Sequence, residues 1–165
     1  MVFIDHTAAP SRRPTAFIGV YTKTLGTKCI LVVKSNSGKW MLPGGMVDSG
    51  ETAGKAAVRE LQEESGIQIP QRKIVLIELI NNCALFALME PLKFATGNWA
   101  PTMDGIFSGR KPGETTQWGI VPLKMGEQFV ANVPSGSDWQ EDRSAFRPGT
   151  LAHLNTLRDK LYTPT

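Results

Sequence analysis

Long apolar runs are missing from this 165-residue sequence. The runs at residues 29–33 and 74–80 are short, with Glu78 interrupting the second, and no run exceeds seven residues. A bilayer-spanning helix needs ~20 apolar residues, so none is expected. Residues 1–4 are too short for the apolar part of a secretory signal, and Asp5 and His6 follow at once, so no such signal is expected either. Cysteine is scarce. Cys29 and Cys83 are too few for a disulfide framework or a cysteine-based zinc site, which fits a reducing cytoplasm. The two histidines, His6 and His153, lack metal-ligand spacing and are expected at the surface. No nucleophile–base pair suggests covalent catalysis, and there is no internal repeat or low-complexity tract. The net charge of +3 is too small for a nucleic-acid-binding surface, which shows clustered Lys and Arg.

What is present is the composition of one globular domain, 41% hydrophobic and 20% charged. The charge is unevenly placed. Residues 45–67 hold Asp48, Glu51, Glu60, Glu63 and Glu64 against Lys55 and Arg59, a balance of −3, which leaves +6 on the other 142 residues. A weakly basic shell around an acidic focus points to an anionic small ligand handled through a cation, although a solvated helix face would give the same count.

Residues 1–13 read as an irregular leader and 14–165 as a single domain. Strands are expected at 17–22, 28–34, 73–80, 84–90 and 117–123, with a turn at Ser-Asn-Ser-Gly 35–38. The helix pattern is clearest over 52–65: Thr52 can cap its start, Gly66 its end, and Ala53, Ala57 and Leu61 make one apolar stripe. Residues 91–117 have weak pattern and read as a long substrate loop, and 126–148 as a polar insertion. A closing helix is expected over 149–162 from Leu151, Leu154, Leu157 and Leu161. Strands and helices mix without strict alternation, which makes the fold class α+β.

On a helix, Glu60, Glu63 and Glu64 lie on one face at spacings i, i+3 and i+4. At ~6 Å and an effective dielectric of 20, each carboxylate pair repels by roughly 3 kcal/mol. A purely structural helix gains nothing from this. A hard divalent cation, magnesium or manganese, reverses the sign. Arg59 can pair with Glu63 or Glu51 and fix its rotamer, and Pro43-Gly44-Gly45 can present a bare carbonyl to the same ion.

Residues 45–67 read Gly45, five residues, Glu51, seven residues, then Arg59-Glu60-Leu61-Gln62-Glu63-Glu64-Ser65-Gly66-Ile67. This resembles the Nudix box at every defined position, a match expected by chance on the order of once in 10⁷ such chains. The likeness extends to Lys39-Trp40-Met41-Leu42-Pro43-Gly44-Gly45 before the box, to Thr116-Gln117-Trp118 after the loop, and to the closing helix. It implies a mixed sheet sandwiched between helices, the box forming a loop-helix-loop, and metal-dependent hydrolysis of a nucleoside diphosphate linked to another group. By the same resemblance, Glu60 and Glu64 correspond to the main metal ligands, Glu63 to a further ligand or base, the Gly44 carbonyl to the backbone ligand, and Glu51 and Arg59 to the orienting pair. The base is a box glutamate or one in the later loop, where Glu114 is the candidate; a solvated loop acid is the alternative. Mg²⁺ is the implied cofactor, with Mn²⁺ as a substitute.

Substrate contacts are expected from Lys39, Arg110 and Trp99, while Trp40 and Trp118 are assigned to the core. Subfamily signals are sparse. Cys83 stands where ADP-ribose hydrolases resembling this chain carry proline, Cys-Ala-Leu at 83–85 lacks the tyrosine of dinucleoside polyphosphate hydrolases, and the coenzyme A and NADH-type patterns are absent. Small size and Trp-Met-Leu-Pro-Gly-Gly at 40–45 resemble the MutT-like group, the class that remains when those signals are missing, which implies a (deoxy)nucleoside triphosphate split into monophosphate and pyrophosphate. ADP-ribose or a nucleotide sugar is the alternative, and a catalytically silent nucleotide-sensing module the alternative of another class. The partner is a small nucleotide, with neither membrane nor nucleic acid, and a homodimer is compatible with the resemblance.

Overall fold

A computed structural model describes residues 13–24, 27–92, 99–123 and 145–162. Strands β1 (Thr15–Gly19), β2 (Tyr21–Thr24), β3 (Thr27–Ser35), β4 (Trp40–Met41) and β5 (Gly44–Met46) precede helix α1 (Ala53–Ser65). After it come β6 (Ile74–Ile80), β7 (Cys83–Leu88), α2 (Trp99–Phe107), β8 (Thr115–Pro122) and α3 (Pro148–Tyr162). One sheet runs β5-β1-β7-β6, with β1 and β7 parallel and the other pairs antiparallel. The second is antiparallel, β2-β3-β4, with β8 also on β3. Among the described residues no helix is long and apolar enough to cross a membrane.

The strand expected over 17–22 is two strands in different sheets. Its break falls at Gly19–Val20, where α3 comes down on the chain: a Cβ on Gly19 would stand 2.7 Å from Leu157 Cδ1. Val20 then turns its carbonyl to the N–H of Leu31, starting the pairing with β3. The loop expected over 91–117 contains α2. Its Gly105 and Pro101 hide a helix whose Met103 and Phe107, one turn apart, are buried; Pro101 sits in the first turn, where its missing N–H has no helical partner to lose. Of the polar insertion, residues 126–144 lie outside the described residues, as do residues 1–12 of the leader. Phe146, within the insertion's end, is instead fully buried and bridges Trp40.

The core lies where α1 meets β1 and β5 on one side and where β3 and β8 pair on the other, with Trp40, Leu42, Leu61, Ile120 and Leu154 fully buried. Trp40 and Trp118 belong to it, the indole N–H of Trp118 donating to Asp104 at 2.8 Å. Ala57 and Leu61 are fully buried as their stripe predicts, with Ala53 packed beside them.

Candidate active site

Helix α1 carries the box carboxylates, and both its ends are fixed. The Thr52 hydroxyl accepts the Lys55 N–H at 3.2 Å. Gly66 takes φ +82° and returns its N–H to Gln62; a Cβ there would run into the Ile106 carbonyl, so only glycine fits. Two further bonds tie the last turn to the segment leading into β8. Lys111 N–H donates to the Glu63 carbonyl at 2.8 Å, and the Thr115 hydroxyl to the Glu64 carbonyl at 2.8 Å. This places Glu114 beside the helix.

Strand β5 lies against α1 by its free edge. Ile18 N–H donates to Pro43 O and Val47 N–H to Pro14 O, while Phe17 faces Gly44. The alternation of an antiparallel ladder therefore leaves Gly44 at a non-hydrogen-bonded position, its N–H and C=O directed away from β1. Its N–H meets Glu64 Oε1 at 2.7 Å, and two residues on the Met46 carbonyl accepts from Arg59 Nη2 at 3.0 Å. Both glycines leave space that a Cβ would invade, against backbone and ring at Gly44 and against a movable carboxylate at Gly45. A Cβ on Gly44 would strike the Phe17 ring and stand 2.5 Å from the Ala16 carbonyl; one on Gly45 would stand 2.7 Å from Glu60 Oε1.

Arg59 is the hub. It holds Glu51 bidentately, Nε to Oε2 at 2.8 Å and Nη2 to Oε1 at 2.9 Å. Its Nη1 reaches Glu60 Oε1 at 2.9 Å and Glu63 Oε2 at 3.2 Å, and Asp48 lies 3.4 Å away. The guanidinium, with help from the Asp48 N–H, lowers the Glu51 carboxyl to about 2. Glu60 and Glu64 move the other way. Burial raises Glu60, and burial together with the charges of Glu60, Glu114 and Glu63 pushes Glu64 up to about 8, against the Gly44 hydrogen bond that lowers it.

One carboxylate oxygen each from Glu60, Glu63 and Glu114 lies within 4.8 Å of the others. Glu64, on the same helix face, turns instead to Gly44 and is 5% exposed. Three converging carboxylates, a fourth raised in pKa by burial and by its acidic neighbours, and an outward-facing Gly44 carbonyl fit a hard divalent cation. Glu114 also pairs with Lys111 Nζ at 3.8 Å.

The three residues expected to touch substrate fare differently. Arg110 does not join the carboxylates: its Nε donates to the Thr115 carbonyl, its Nη1 to that of Phe107, and its guanidinium lies 4.0 Å from the Phe107 ring centroid, so it fastens the turn after α2. Lys39 sits on the β3–β4 hairpin, exposed, its carbonyl accepting from Ser35. Trp99 begins α2, and its side chain lies outside the described residues.

On the other face of β1, a cleft of about 570 Å³ is lined by Phe17, Glu78, Cys83, Arg147 and His153, among others. Strand alternation alone explains the grouping: Thr15 and Phe17, Glu78 and Ile80, Cys83 and Leu85 share one face of three neighbouring strands. His153, expected at the surface, is half-buried here because α3 packs on that face, and burial lowers its pKa. Phe17 separates the cleft from Gly44, so cleft and carboxylates are neighbours across one strand.

Residues 12–87 match the family model described as "NUDIX domain". Two curated Bacillus subtilis (strain 168) relatives match shorter stretches. The "Uncharacterized Nudix hydrolase YvcI" is 40% identical over 57 residues, 33% of this chain and 36% of its own. The "Putative 8-oxo-dGTP diphosphatase" is 54% identical over 37 residues, 22% of this chain and 25% of its own. The matches thus span about a third and a quarter of those relatives' lengths. Among solved structures, the NUDIX domain of Shewanella oneidensis NrtR complexed with ADP ribose superposes with TM-score 0.62 at 14% identity, covering 96% of this chain and 94% of that one. A C. elegans Ap4A hydrolase gives TM-score 0.51 at 17% identity, covering 91% and 98%. The fold is the α+β Nudix fold, and residues 12–87, which carry the complete box on its capped helix, match the NUDIX domain family.

Proposed function

We propose that the chain hydrolyses a phosphoric anhydride bond in a nucleoside diphosphate linked to another group, using a divalent metal, with a nucleoside triphosphate as first substrate and monophosphate plus pyrophosphate as products. The observation that carries this is the set of carboxylates gathered against the free edge of β5 and oriented by one arginine. Glu60, Glu63, Glu64, Glu114 and the Gly44 carbonyl would hold Mg²⁺ or, in its place, Mn²⁺. Such an ion supplies the positive charge that offsets a polyphosphate and acidifies water. The chain's own part is positional. Arg59 and Glu51 keep the helix carboxylates in one rotamer, and a carboxylate among Glu63, Glu64 and Glu114 accepts the proton of the attacking water. The cleft has the volume of an ordinary small-molecule site, and its Arg13 and Arg147 outnumber Glu78, which suits an anionic ligand.

The triphosphate reading is supported by the relative named for 8-oxo-dGTP, the runner-up by the neighbour bound to ADP ribose. Purified protein with Mg²⁺ is offered a nucleotide panel and the products are separated by chromatography. Pyrophosphate and monophosphate from a triphosphate, abolished by EDTA, support the proposal. AMP from ADP-ribose with triphosphates untouched favours the runner-up. Tight binding without product leaves a sensing module.

A further inference from the structure

A second reactive pair lies in the cleft, apart from the box carboxylates. Cys83 opens β7 between Thr15 and Ile80, and its Sγ lies 3.6 Å from Nε2 of His153 on α3. Both line the cleft. The Phe17 ring packs against the imidazole, centroids 5.1 Å apart and planes tilted 46°. Burial holds that imidazole in its neutral form, with Glu78 opposing the effect. In the tautomer protonated at Nδ1, Nε2 accepts the thiol proton. Cys29, by contrast, is fully buried in β3. With His153 neutral, Arg13 and Arg147 against Glu78 give the lining a charge of +1.

We propose that Cys83 and His153 form a thiol-exchange site that takes small anionic disulfides and closes the cleft with a mixed disulfide. His153 Nε2 accepts the proton, and the Cys83 thiolate attacks one sulfur of the disulfide. A Cys83 S–S bond forms, the original S–S bond breaks, and the departing thiolate takes the proton from His153 or, where its thiol is the stronger acid, leaves as the thiolate while that proton passes to water. The incoming disulfide is the oxidant and Cys83 the reductant. The inference rests on the hydrolase reading only in its consequence, that an adduct in the cleft keeps nucleotide out.

The test uses the native full chain and the dianionic aromatic disulfide dithiobis-nitrobenzoate, following thiolate release and mapping the adduct by mass spectrometry. A single fast-reacting thiol at Cys83 is expected, with Cys29 reacting only after denaturation. Cys83→Ser removes the fast phase, and His153→Gln slows it by about tenfold through loss of a positioned base. Neutral dithiodipyridine shows less acceleration over the unfolded chain than the dianion does. The adduct abolishes nucleotide hydrolysis, and dithiothreitol restores it. The proposal is overturned if native Cys83 reacts no faster than the unfolded chain's thiols, if His153→Gln leaves the rate unchanged, or if the adduct turns over normally. Thiolate release is read without substrate, so an unmodified protein that hydrolyses nothing counts against the functional reading alone.

Discussion

Replacing Glu64 by glutamine should make the metal-free protein more stable while removing its response to metal. Glu64 is 5% exposed and its carboxyl is pushed up to about 8 from an ordinary 4.5. A raised carboxyl favours the fold when protonated. That contribution is complete below pH 4.5 and is lost as pH rises through about 8. At about 1.4 kcal/mol per pH unit, ionisation costs about 5 kcal/mol at alkaline pH and about 3 kcal/mol at pH 7. Glutamine keeps the acceptor for the Gly44 N–H and never ionises, so the variant gains up to that amount. Part of the gain is offset because a carboxylate accepts that bond more strongly than an amide does. Denaturant unfolding in EDTA, at pH values from 5 to 9 (roughly the window set by linkage), measures the difference. Native protein should lose stability toward pH 9 and the variant should not. Millimolar Mg²⁺ should raise the native melting temperature and leave the variant's nearly unchanged, while kcat falls by about a hundredfold or more. Parallel pH profiles for the two proteins in EDTA would refute the reasoning.

Gly44→Ala should destabilise the fold by about 2–3 kcal/mol, because its Cβ meets the Ala16 backbone and the Phe17 ring; Gly45→Ala displaces only the Glu60 carboxylate and should fold normally but bind Mg²⁺ more weakly, as calorimetry would show. Arg59→Met should flatten acid unfolding between pH 4.5 and about 2, where native protein loses the Glu51 contribution as pH falls. Allowing for solvent at this partly exposed pair, that contribution is about 1–2 kcal/mol. Glu114→Gln should lower kcat steeply without lowering the melting temperature in EDTA, since its carboxylate converges on Glu60 and Glu63 and its charge only repels theirs when no cation is bound; unchanged kcat would remove Glu114 from the site.

The box was fully legible because its chemistry is local: the helix, both its caps, the Glu51–Arg59–Glu63 contacts and the apolar stripe all follow from spacing within some twenty residues. Helix α2 was not, since only the burial of Met103 and Phe107 against the rest of the fold reveals it. The division of the carboxylates was equally hidden. Spacing puts Glu60, Glu63 and Glu64 on one face, but it takes β5 on one side and the β8 approach on the other to separate Glu64 from the group completed by Glu114. The surroundings of Arg110 and the burial of His153 were hidden for the same reason, their partners being a neighbouring backbone turn and a sheet face built from three strands.

Gly44 has a consequence for thermodynamics as well as for sterics. Its Cα abuts the Phe17 ring of the cleft, and its N–H holds Glu64. A ligand that shifts Phe17 therefore shifts the strand that fixes Glu64, and an ion that draws Glu64 away shifts the wall of the cleft. If both sites bind as proposed, they share one residue's freedom and their affinities should be linked. By reciprocity, a nucleoside bearing no phosphate, unable to touch the ion itself, should then change the protein's affinity for Mg²⁺ by the same factor that Mg²⁺ changes its affinity for the nucleoside.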